Sequence, residues 1–295
     1  MTSVPRRQIE ELIILHEREP ALRDVVVEGV VDKHFFEWFL GESGLEDVSV
    51  YDISTIDVSD QLVIEAGVET GARGRVITLA GALAEKGPAC EHVTCIADAD
   101  FDFIENINRQ SPVLLTTDFT SVELYAFNER ALNKLLKLVL KGFGKNAAVV
   151  LKELAGPLQE IFLLRAANHM EKLGLDFDTP NRAGFYKSFR LTDGMLEFDS
   201  GKYLASLLQA SHMTAKRQQI VDRVTQLRTK LKGDPRFYIH GHDFEQALAL
   251  YLRKHKGFGG IHSETIIGAI LASVDLELLR EQKLFQRLAD RCSPD

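Results

Sequence analysis

The stretch Val25-Val26-Val27-Glu28-Gly29 ends a β-branched run on a carboxylate and a glycine, and Ala97-Asp98-Ala99-Asp100-Phe101-Asp102 closes a second apolar run in the same way. Three successive valines suit a strand covered on both faces, as in a parallel sheet, and the carboxyl ends of such strands are where sites form. The two stretches therefore bring together the carboxylates of Glu28, Asp98, Asp100 and Asp102. Left unpaired they would repel one another. A hard divalent cation with oxygen ligands holds such a group together, and magnesium fits best.

Outward from these stretches, residues 32–40 carry Phe35, Phe36, Trp38 and Phe39 densely enough for a buried helix, closed by Gly41. Strand, acidic turn and helix thus follow in order. Helical spacing covers 9–19 and 75–86, the latter ended by Gly87-Pro88, and 48–53, 92–97 and 113–116 read as further strands. Ser121 is placed to cap a helix over 122–140. Alternating strands and helices give an α/β class, a mainly parallel sheet flanked by helices. Beyond residue 140 the texture becomes helical, at 147–173, 212–232, 243–254 and 277–289, with a loop over 174–200 and a short strand at 237–239. The expected organisation is a catalytic domain over 1–130 and a mostly helical, basic domain over 131–295.

The chain has 295 residues, 45% of them hydrophobic and 26% charged, enough for substantial cores. No apolar run approaches the roughly 20 residues of a membrane helix, and no apolar segment follows Arg6 and Arg7, so a membrane or secreted destination is not expected. Cys90, Cys95 and Cys292 are odd in number and form no Cys-x-x-Cys pair, which points to a reducing cytoplasm. Net charge is −8, unlike a simple basic nucleic-acid-binding domain. It divides unevenly: 10 basic against 25 acidic residues up to Arg130, then 25 against 18. An acidic, metal-centred half joined to a basic half suits a polyanionic substrate, although two solvated surfaces can drift apart in charge without function.

If the strand runs on past Ala97, Asp98, Asp100 and Asp102 project to one side and share a cation. Glu28 adds a ligand or a general base, and Asp32 lies one helical turn further on. Such a centre, with one or two ions, is apt for phosphodiester cleavage: the cation neutralises phosphate oxygens and acidifies a bound water. His240 and His242 flank Gly241 before a helix, where they contact phosphate or simply form a capping turn with Asp243 as N-cap. Lys216, Arg223 and Lys230 recur every seven residues beside the apolar stripe Ile220, Val221, Val224, Leu227 and Leu231. That basic face either tracks a phosphate backbone or is solvated. Phe185, Tyr186 and Phe189, interleaved with Lys187 and Arg190, either stack on bases or pack against helices.

Glu28-Gly29 with Asp32 and the aromatic helix, followed by Asp98-x-Asp100 after a hydrophobic strand, resembles the Toprim domain of topoisomerases, bacterial primases and the overcoming-lysogenisation-defect nucleases. The match spans roughly residues 24–128. Thr117-Asp118, Ser121, Glu123, Tyr125 and the late Gly241-His242-Asp243 are similar to small Toprim nucleases that act beside an ABC-type ATPase in bacterial anti-phage defence, such as the PARIS effector. The resemblance implies a Toprim fold, magnesium or manganese dependence, and nucleic-acid cleavage centred on Glu28, Asp98 and Asp100. Asp32 and Asp102 are further metal ligands, and Glu123 and His242 are accessory positions. It further implies a toxic effector held in check by a separate ATPase, acting on tRNA or other structured RNA. A lone active site that must cut two strands or clamp a folded RNA often belongs to a symmetric dimer, so a homodimer is one arrangement. No phosphate-loop motif occurs, so the ATPase is another chain. A DNA endonuclease of this fold, a non-catalytic Toprim-like module, and a glycosyltransferase using Asp98-x-Asp100 remain as alternatives.

Overall fold

Strands β1 (Arg7–Gln8), β2 (Asp24–Val27), β3 (Ser49–Asp52), β4 (Ile56–Asp57), β5 (Val93–Ala97) and β6 (Leu114–Thr116) build the first part of the chain. In the computed structural model β3, β2, β5 and β6 form a four-stranded sheet in that order, every pair parallel, while β1 and β4 pair separately. All residues of β2 and β5 are buried, because crossover helices in parallel sheets cover the strand faces. The described residues are 6–177, 184–193, 195–254 and 263–293; of the stretches read above, 1–5, 178–183 and 194 lie outside them.

The chain divides into two compact units: residues 1–99, 108–118 and 275–295 in the first, 100–107 and 119–274 in the second. Relative to a single boundary near Arg130, residues 100–107 and 119–130 fall in the second unit and residues 275–295 in the first. The C-terminal helix Lys283–Cys292 belongs to the first unit, where Phe285 meets Phe35, Phe36 and Phe39 with ring centroids 6.1, 5.7 and 4.7 Å apart. Arg291 fixes the same helix to the start of β5, bonding Thr94 Oγ1 at 2.9 Å and the Glu91 and Val93 carbonyls at 2.7 and 3.1 Å. Asp118 Oδ2 accepts the Leu284 backbone N–H at 3.1 Å and so caps that helix from a loop. Asp24, buried at the start of β2, is held by His16 Nε2 at 3.0 Å.

In the second unit the helix Ala147–Glu171 packs against Glu129–Leu138, Arg217–Arg228 and Gly241–Arg253. Strands β7 (Phe189–Thr192) and β8 (Met195–Phe198) pair antiparallel within the expected loop. Phe185 and Phe189 are buried against Tyr203 and Phe198, which removes them from any base-stacking surface. Residues 122–140 are not one helix: a 3-10 turn, Val122–Ala126, precedes Glu129–Leu138, capped by Asn128 and not Ser121. The expected strand at 237–239 is a 3-10 turn, Pro235–Tyr238, because Asp234 accepts the Arg236 backbone N–H at 2.9 Å and turns the chain there. Residues 277–289 likewise split between Leu276–Arg280 and Lys283–Cys292.

Candidate functional site

β2 and β5 are neighbours whose onward connections leave in opposite directions, β2 to β3 on one side and β5 to β6 on the other. That divergence makes their carboxyl ends the topological switch point of the sheet, the crevice in which α/β proteins place ligands. Glu28 follows β2 and Asp98 follows β5. Glu28 Oε1 accepts the Asp98 backbone N–H at 2.8 Å. The next peptide is held as closely: Thr117 Oγ1 accepts the Ala99 N–H at 2.9 Å, while Arg73 donates from Nε to the Asp98 carbonyl at 2.7 Å and from Nη2 to that of Ala99 at 3.4 Å. The backbone polar groups of Asp98 and Ala99 are thereby satisfied from strand-end and helix side chains. Asp32 Oδ2 accepts the Gly29 N–H at 3.1 Å, capping the helix Val30–Glu42. Glu28, Asp32 and Asp98 are all half-buried, reachable from solvent.

The acidic run does not stay extended. β5 stops at Ala97, and Asp100 takes a left-handed conformation with φ +44°, its N–H bonded to the Thr120 carbonyl at 2.9 Å. Asp102 opens a short helix, Asp102–Glu105, and is buried. The alternation expected to align Asp98, Asp100 and Asp102 is therefore absent, and Asp100 and Asp102 belong to the second unit.

A separate cluster lies within the second unit. Glu123 projects from the 3-10 turn; His242 and Glu245 stand near the start of Gly241–Arg253, three residues apart and so on one face. One potential ligand atom from each lies within 4.8 Å of the others. Glu123 and Glu245 are buried, whereas the His242 side chain is 61% exposed. Pairing with Glu245, and the nearby charge of Glu123, raise the His242 imidazole pKa to about 9 despite partial burial. Burial raises Glu245, with the Glu123 carboxylate adding to it. Asp243 is not the helix N-cap; its oxygens take Arg165 Nε and Nη2 at 2.8 and 2.9 Å, a buried two-point pair. His240 occupies the cap position.

No protein-family model matches the chain, and no curated protein matches its sequence.

The basic stripe is partly engaged within the unit. Arg223 bonds Glu171 at 2.6 Å, and Lys230 donates to the Ile104 carbonyl at 3.0 Å. Lys216 lies in the 3-10 turn Thr214–Lys216, ahead of the α-helix proper. Of the expected apolar stripe, Ile220, Val224 and Leu227 are buried, while Val221 is exposed. Sequence reasoning passed over Arg73, Arg165 and Glu245. Glu245 had a signal, its spacing of three from His242; Arg73 and Arg165 act on residues distant in sequence and had none.

Proposed function

We propose that the chain is a magnesium-dependent, Toprim-type nuclease whose centre is built on Glu28 and Asp98. The observation that carries the reading is the pairing of Glu28 with the Asp98 backbone at the sheet's switch point. The half-buried carboxylates there offer the hard oxygen donors that magnesium, or manganese in its place, prefers. When bound, the cation would neutralise phosphate oxygens and make a water nucleophilic at neutral pH. The chain's own part is to position. Glu28 holds the acidic turn and is placed to orient a nucleophile; Arg73 and Thr117 fix the peptide that carries Asp98. Asp32 maintains the helix start behind Glu28.

The excess of basic residues after Arg130 supports a polyanionic substrate. We favour structured RNA, tRNA in particular, over DNA, with Lys216 the member of the basic stripe best placed to meet phosphate. The wider reading is a toxic effector in anti-phage defence, controlled by a separate ABC-type ATPase and working as a homodimer. Among the described residues no helix is long and apolar enough to cross a membrane. A cytoplasmic setting is proposed on the three buried, unpaired cysteines. Incubating the full chain with tRNA, structured RNA and DNA, with magnesium or with chelator, tests the activity. Magnesium-dependent cleavage supports it, and metal binding without cleavage, alone or with the ATPase, favours a binding module.

A further inference from the structure

We propose that Glu123, His242 and Glu245 form a binding site for a divalent cation of the manganese or zinc class, with ligands drawn wholly from the second unit. Each residue contributes one donor atom, and these atoms lie within 4.8 Å of one another. Glu245 Oε1 is buried and has no hydrogen-bond partner, in a side chain only 9% exposed. An oxygen of its carboxylate lies within 4.8 Å of one from Glu123, so two buried acceptors face one another inside the fold. Buried carboxylates in that relation need a proton or a cation between them. Ser121 Oγ, also buried without a partner, borders the same place.

The backbone is shaped around this group. A Cβ on Gly241 would overlap Glu123 Oε2 and Ser121 Oγ, so glycine at the helix start is what lets the carboxylate lie against it. Asp243 is excluded from the ligand set because both its oxygens take Arg165. The exposed His242 ring provides the entry route and closes the site. A four-coordinate ion with bonds of about 2.0–2.2 Å holds its ligands roughly 3.4 Å apart, so the cluster must contract slightly. His242 Nδ1 already stands 3.8 Å from Glu245 Oε2, and rotation of an exposed ring supplies the rest. One imidazole with two carboxylates suits manganese, iron or zinc better than calcium or magnesium, which favour oxygen alone.

The test is a manganese titration of the chelator-treated full chain, read by pulsed electron paramagnetic resonance. The expected result is a nitrogen-14 coupling from a directly bound imidazole. His242→Ala should abolish the coupling, and Glu245→Gln should weaken manganese binding at that site by roughly tenfold or more with the circular dichroism unchanged. Glu28→Gln should keep the coupling, whether or not the chain cleaves nucleic acid, so this site stands or falls apart from the nuclease reading. Absence of nitrogen coupling in the unmutated chain, its persistence in His242→Ala, unchanged affinity in Glu245→Gln or its loss in Glu28→Gln would each overturn the proposal.

Discussion

Glu28 Oε1 receives the backbone N–H of Asp98 at 2.8 Å, tying together the ends of two adjacent parallel strands. The bond joins residues seventy apart in sequence. It fixes the direction of the acidic turn as it leaves β5, so Glu28 has a structural task beside its proposed chemical one. Charge-assisted bonds of this kind are stronger than neutral ones and hold loops where mobility would be costly.

Arg73 holds the other side of that turn through two carbonyl oxygens. Replacing it with Ala should raise the magnesium concentration needed for half-maximal cleavage by about 10–100-fold, the usual penalty for losing a group that orients metal ligands. The fold should survive. A magnesium titration of cleavage measures this, and Arg73→Lys should restore only part of the loss, because one ammonium cannot reproduce the guanidinium fork. An unchanged titration would remove Arg73 from the centre.

Gly241 and Gly81 make a paired test of packing. Gly241→Ala drives a Cβ into Glu123 and Ser121 and should cost about 1–3 kcal/mol. Gly81, inside the helix Ala72–Ala84, has open space around its missing side chain. There Ala should stabilise by about 0.4–1 kcal/mol. Thermal melts of the two variants should move in opposite directions.

The Arg165–Asp243 pair is buried on both sides. Arg165→Ala strands Asp243 as a buried charge, at a cost of about 3–5 kcal/mol. Changing both, Arg165→Met with Asp243→Asn, should cost far less. Denaturant unfolding of the single and double variants reads the difference.

Glu153 accepts from Lys145 at 2.8 and 2.9 Å and from Tyr251 at 2.7 Å. Burial raises its pKa, but these bonds outweigh it and hold the carboxyl below its ordinary value. A depressed folded-state pKa contributes stability above the unfolded value and loses it as pH falls through the folded one. Glu153→Gln should therefore flatten the fall in melting temperature below about pH 4.5, a carboxyl's ordinary range. An unaltered slope would show that other carboxylates govern acid unfolding.

The sheet and the Glu28–Asp98 relation were legible because β-branched runs, abruptly ended by Gly29 or acidic residues, carry their own local signal. Local signals misled where a distant partner decided the outcome. Asp243 resembles an N-cap, but Arg165, seventy-eight residues away in sequence, takes both of its oxygens. Asp100 would continue a strand by alternation, yet the Thr120 carbonyl draws its N–H into a left-handed turn. Asn128 outcompetes Ser121 as a cap because the intervening residues close into a 3-10 turn first. The heptad spacing of Lys216, Arg223 and Lys230 gives a basic face that reaches solvent, but the spacing alone could not show that Arg223 also bonds Glu171 and Lys230 the Ile104 carbonyl.

Glu28 and Asp98 are proposed to build a magnesium-dependent cleavage centre. The decisive measurement is the cleavage rate of structured RNA by the purified chain and by Glu28→Gln, each at saturating magnesium with equal melting temperatures confirmed. A fall of at least about a hundredfold is expected in Glu28→Gln, beyond what outer groups around a metal supply, with wild-type cleavage abolished by chelator. Undiminished cleavage by Glu28→Gln would contradict it.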